Sequence, residues 1–133
     1  MLKYILLYLV VLGAFFVIDM IWLGLVAKNF YKKQLGFIMA AKVNWLAAII
    51  FYLLFVAGLI FFAIIPSLSQ GSWFYAFLTG AFFGMICYAT YDLSNLATLK
   101  NWPPVVTVVD IVWGSLLAGT LSIIGFLFGR SVF

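Results

Sequence analysis

Charge is what this sequence has least of. Only 8% of its 133 residues are Asp, Glu, Lys or Arg, while 68% are hydrophobic and 20% aromatic. Soluble domains carry roughly a quarter charged residues. A chain this poor in charge cannot cover a water-facing surface, so it needs lipid as its solvent. Histidine is absent, which removes the commonest metal ligand and the commonest general base. The single cysteine, Cys87, lies inside an apolar run. It can form no disulfide within the chain, and a thiol site would need an activating neighbour. The length allows one domain, and four spans of about 20 residues consume most of it. That leaves no room for a soluble catalytic domain.

What is present is four long apolar runs. They cover about 4–27, 44–65, 72–99 and 104–129, with Pro66 ending the second and Pro103-Pro104 opening the fourth. Each is long enough to cross about 30 Å of hydrocarbon at about 1.5 Å per residue. Lipid offers the backbone no partner, so each run pairs its own amides as a helix. The runs are continuous rather than alternating, which argues against a β-barrel. The expectation is an all-α polytopic membrane protein: a four-transmembrane-helix bundle, with residues 1–133 as one transmembrane domain. The first run is too long for a signal peptide, is interrupted by Asp19 and has no small-residue cleavage site after it. It therefore reads as a helix. In the longest connection, Asn29 to Phe37 mixes aromatic and basic residues and suits a short amphipathic piece on the membrane surface. Ser67 to Ser72 reads as a tight turn, and Trp102 suits the interface.

The net charge of +4 would suggest nucleic acid in a soluble protein. Here Lys28, Lys32, Lys33, Lys42, Lys100 and Arg130 flank apolar runs, so they read as anchors and topology signals and no nucleic-acid partner is expected. Five lysines gather in the first and third connections, against Lys3 and Arg130 at the other end. The positive-inside rule then puts both termini outside the cytoplasm.

All three acidic residues, Asp19, Asp92 and Asp110, lie inside the runs. A carboxylate at the centre of a span costs about 2.5–3.5 kcal/mol on insertion scales, so solubility is not their purpose. Asp19 lies roughly 13 Å before Lys28, Asp92 roughly 12 Å before Lys100 and Asp110 roughly 9 Å after Pro104 along their helices. Three separate helices thus place an Asp at similar depth, nearer the same face. Asn95 and Tyr88 share the Asp92 face. Asn44 opens the second helix at that end, and Thr107 is one turn before Asp110. Trp22 and Trp113 each follow an Asp by three residues, so their indole N–H groups are candidates to donate to a carboxylate. Gly80 and Gly84 lead to Tyr88 and Asp92 in steps of four, and Asp110, Gly114, Ala118 and Ser122 form a matching stripe. Small residues let helices approach closely in lipid, which turns the acids toward protein. The plainer reading is interhelical hydrogen bonding, worth about 0.6 kcal/mol on average. Three like charges at one level suit it poorly.

The strings FFVIDMIWLG, YATYDLSNLATLKNWP and VTVVDIVWGSLLAG resemble the domain of unknown function 2177 family of small bacterial membrane proteins, over nearly the whole chain. The family usually has Thr where this chain has Ser94, and a hydroxyl is kept. The resemblance implies a bacterial inner-membrane protein with several spans and supplies no activity.

The site itself suggests a small transport or permeation protein. Asp19, Asp92 and Asp110 would bind a proton or cation, with Asn95 and Asn44 as neutral oxygen ligands and Tyr88, Trp22, Trp113 and Thr107 in support. No cofactor is evident. Oxygen-only ligands suit hard cations such as Na⁺, Mg²⁺ or Ca²⁺. Besides membrane lipids the expected partner is a second copy of the chain, because four helices alone make a thin wall for a pathway. The rival is a membrane-embedded enzyme with Lys28, Lys42 or Lys100 on a lipid headgroup or a lipid-linked substrate, but no complete motif of a lipid enzyme is present. A third class is an assembly subunit with no chemistry.

Overall fold

The computed structural model describes residues 1–133 and is helical throughout, with no strand. Four helices are long and apolar enough to cross a membrane: α1 (Leu2–Val26), α3 (Trp45–Gln70), α4 (Trp73–Thr98) and α5 (Pro104–Val132). A short helix, α2 (Lys28–Leu35), lies in the first connection. The four-span bundle expected from the runs is therefore what forms.

The helix starts have local causes. Asn44 caps α3, its side-chain oxygen accepting from the Ala47 N–H at 3.2 Å. Ser72 caps α4 by accepting from the Tyr75 N–H at 3.1 Å. Such caps satisfy amides that no earlier turn can reach. Pro104 begins α5, where a missing N–H costs nothing.

Pro66 does not end the second span. The backbone widens into a π turn over Ile60–Ile64, and the helix resumes over Ile65–Gln70 with the proline in its first turn. There the ring meets no clash and its lost N–H is not missed. The chain reverses only at Gly71, whose φ of 63° lies in the left-handed region that glycine tolerates. Ser67, expected in a turn, is instead a buried helix residue donating to the Ile64 carbonyl at 2.6 Å. Trp102 is buried in the α4–α5 turn, with its indole N–H donating to the Thr107 hydroxyl at 3.1 Å.

Packing follows the small-residue stripes. The most extensive contact is between α4 and α5. A β-carbon on Gly80 would strike Ser122, and one on Gly84 would strike Ala118 and the Gly114 carbonyl, while Gly114 lies under the Tyr88 ring. The helices run in opposite directions, so each four-residue step up α4 meets a four-residue step down α5. Continued by one step, that register sets Asp92 opposite Asp110. On α1 the buried residues are Leu7, Val11, Phe15 and Asp19, one every four. The first three join Val56, Leu59, Ala63, Ile64, Leu117 and Leu121 in the apolar core. Asp19 is the carboxylate end of that core stripe.

Both termini lie at one end, where the Tyr4 and Phe133 rings sit 4.9 Å apart and the Lys3 ammonium lies 5.9 Å from the Phe133 ring. The lysine-bearing connections and α2 occupy the other.

Candidate functional site

At that other end the helices enclose a cleft of about 470 Å³. Its wall is Asp19, Trp22 and Leu23 of α1, Tyr31 and Leu35 of α2, Phe51 of α3, Cys87, Tyr88 and Tyr91 of α4, and Asp110 and Trp113 of α5. Every helix contributes, and no lysine or arginine does. Leu23, Phe51 and Tyr91 at its edge are 43%, 45% and 58% exposed, so the cleft opens sideways between helices.

Two local features bring α1 and α2 to this wall. Past Asp19 the α1 backbone widens into a π turn over Trp22–Val26, closed by the Ala27 N–H on the Trp22 carbonyl at 2.7 Å. Such turns recur at functional sites because they re-aim side chains. The α2 helix then folds back with Tyr31, Gln34 and Leu35 partly buried and Lys28, Lys32 and Lys33 exposed. A short helix thus does form within the segment expected to be amphipathic, and its Tyr31 and Leu35 side chains line the cleft.

The carboxylates have different partners. Asp19 is 8% exposed and accepts from the Tyr52 hydroxyl at 2.6 Å and from the Trp113 indole at 3.4 Å. Asp110 accepts from the Tyr31 hydroxyl, which in turn accepts from the Trp22 indole at 3.2 Å. Burial first, and the bond to Asp110 second, push the Tyr31 hydroxyl above its ordinary value, so it stays a donor. The Trp22 and Trp113 rings stack at 4.2 Å with planes 7° apart, and both line the cleft. Asp92 is fully buried, lies against the Asp110 carboxyl, and has no hydrogen-bond donor to either oxygen.

The residues singled out from the sequence are thus partly gathered. Asp19, Asp110, Trp22, Trp113 and Tyr88 line one cleft, with Asp92 packed behind Asp110. The others are elsewhere. Asn44 is exposed and its oxygen is used in capping α3. Asn95 makes no side-chain hydrogen bond to any of the three acids and is absent from the cleft wall. Thr107 is buried, but its hydroxyl donates to the Asp92 backbone carbonyl at 3.4 Å and accepts from Trp102, so it ties the α4–α5 turn rather than a carboxylate. Trp22 donates to Tyr31 and not to an acid. Lys28, Lys42 and Lys100 are exposed and none lines the cleft. The three carboxylates do not come together as a metal-ligand group.

Two hydroxyl donors to the acids, Tyr52 and Tyr31, carry little signal in the sequence. Tyr52 sits inside an otherwise apolar run and reads as an ordinary membrane aromatic; its only signal is a lone hydroxyl in mid-span. Tyr31 hides in a basic connection, where its spacing from Gln34 and Leu35 marks the buried face.

Comparison with curated proteins and with solved structures gives no match. A family model does match, over residues 4–127, and the chain belongs to that family, described as predicted membrane proteins, DUF2177.

Proposed function

We propose that this chain is a small proton- or cation-linked transport protein of a bacterial inner membrane, with both termini outside the cytoplasm and a second copy completing the pathway. The observation that carries this reading is Asp92. Its carboxylate is fully buried in a membrane span, has no donor on either oxygen and faces a second carboxylate. Two ionised carboxylates present only acceptors to each other, so neither satisfies the other. One proton between them turns the contact into a hydrogen bond. The pair is then a binding site for a single proton, held inside the bilayer where an unpaired charge is costly.

Asp19 and Asp110 stand on the cleft wall beside that pair. Tyr52, Trp113 and Tyr31 fix them in place without neutralising them, since each donor is uncharged. A cation in the cleft and a proton on the pair answer the same negative charge in a medium of low dielectric, where charges interact strongly. Occupancy of one therefore disfavours the other, which is the coupling an exchanger needs. The lysines at the same end set the orientation. A lipid enzyme would want a cationic group at the acids to hold a phosphate, and none is there.

The test is flux in liposomes containing purified protein, read by proton- and cation-sensitive dyes under imposed gradients. With a cation supplied on the opposite side, the parent should dissipate a proton gradient, and folded Asp92→Asn and Asp110→Asn variants should not. A parent as silent as both variants across proton, Na⁺, K⁺ and Mg²⁺ gradients contradicts the proposal.

A further inference from the structure

We infer that the cleft at the lysine-rich end binds an organic cation: a molecule with an apolar or aromatic body and one weakly hydrated positive charge. This rests on the transport reading above and names its substrate class.

Size comes first. A volume of about 470 Å³ lies within the range of small-molecule sites, roughly 300–1,000 Å³. It is far larger than a bare ion needs. The wall is next. Trp22, Tyr31, Tyr88 and Trp113 present aromatic groups, and Asp19 and Asp110 present carboxylates; no lysine or arginine shares the wall. Aromatic faces attract cations through their quadrupole, and a box of them is how quaternary ammonium groups are recognised.

The wall selects against the alternatives. A hard ion such as Mg²⁺ or Ca²⁺ wants six or more oxygen ligands, and these acids do not gather into such a group. An anion would meet two carboxylates and no cationic side chain. A neutral lipid tail would fit the aromatics but leave buried carboxylate uncompensated. An organic cation satisfies both parts of the wall at once and loses little hydration on entry. The sideways opening past Leu23, Phe51 and Tyr91 admits such a molecule from the bilayer, where it partitions.

The probe is tetraphenylphosphonium, with tetraphenylborate as a control of nearly the same shape and opposite charge. Binding to detergent-solubilised parent protein is read by calorimetry and by tryptophan fluorescence, which the stacked Trp22 and Trp113 should report. Saturable binding of the cation alone is expected, with the borate failing to compete. Asp19→Asn and Asp110→Asn should each weaken it by about tenfold or more, as loss of one charged contact does. The borate comparison uses the parent chain and needs no variant to fold. Equal binding of both probes, no saturable binding of the phosphonium, or binding unchanged in both Asn variants would overturn the inference. Proton flux that still depends on Asp92 while phosphonium binding is absent would remove this substrate class and leave the transport reading standing. Loss of both would remove the two together.

Discussion

Trp22, near the end of the first membrane helix, and Trp113, in the last, lie face to face with ring centroids 4.2 Å apart. Each follows an Asp by three residues, and the two helices run in opposite directions. The result is a near exchange of partners. Trp113 donates directly to Asp19, while Trp22 reaches Asp110 through Tyr31. The two Asp-x-x-Trp strings thus meet as one layer that ties α1, α2 and α5 together. An aromatic pair adds about 0.5–1.5 kcal/mol beyond the area it buries. Trp22→Leu and Trp113→Leu should therefore each destabilise the bundle, and the double variant should lose less than the two losses added, by an amount in that range. Unfolding in mixed detergent micelles measures all three. Strict additivity would show that the stack contributes nothing of its own.

Close approach of α4 and α5 depends on Gly84. A methyl there meets the Gly114 carbonyl and Ala118, whereas one on Gly13 meets nothing within 4 Å. Gly84→Ala should cost about 1–3 kcal/mol as overpacking does. Gly13→Ala should be neutral or stabilising, because alanine is the better helix former. Equal effects at the two positions would mean that the stripe does not set the helix contact.

Tyr31 should remain protonated when ordinary tyrosines ionise, near pH 10. Burial and its bond to Asp110 both favour the neutral phenol. The sign for stability follows. The unfolded chain releases this proton near pH 10 and the folded chain does not, so Tyr31's contribution is complete below that pH and declines above it. The tyrosinate absorbance of the parent minus that of Tyr31→Phe should stay flat through pH 10 in folded protein and appear on unfolding. A difference that titrates near pH 10 in the folded state would place Tyr31 in water.

How much of this was legible in the sequence depended on the type of signal. Lipid forces continuous apolar runs into helices, so the four spans and their approximate ends could be read directly. Steps of four carried the small-residue stripes, but which two acids they set face to face came only with the antiparallel register of α4 and α5. The end of the second span is not legible in the sequence, because proline ordinarily breaks an α-helix and nothing in IFFAIIP announces the π turn that precedes it. Asn44 does open the second helix at the lysine-rich end, but its side-chain oxygen serves its own backbone as a cap rather than a cation. Tyr31 and Tyr52 are illegible as site residues for a common reason. Their partners lie 79 and 33 residues away, and an aromatic in or beside a membrane span is ordinarily lipid-facing or interfacial. Only tertiary folding turned those two hydroxyls onto carboxylates.

Replacing Asp92 by Asn tests whether its role is structural. The amide keeps the size of the side chain and supplies a permanent donor toward Asp110, imitating the protonated pair. The variant should fold and be as stable as the parent or more so, by about 1 kcal/mol. A loss of several kcal/mol in thermal or detergent unfolding would show that the bundle needs the carboxylate itself.

If Asp92 and Asp110 hold one proton between them inside the membrane, as proposed, infrared difference spectroscopy reads that proton most directly. At neutral pH, without added cations, the parent should show the carbonyl stretch of a protonated carboxyl group in a dry environment. The band should shift in D₂O and vanish in both Asp92→Asn and Asp110→Asn, while Asp19→Asn leaves it in place. A parent spectrum with only ionised carboxylate bands, or a protonated band that survives both substitutions, would contradict the account.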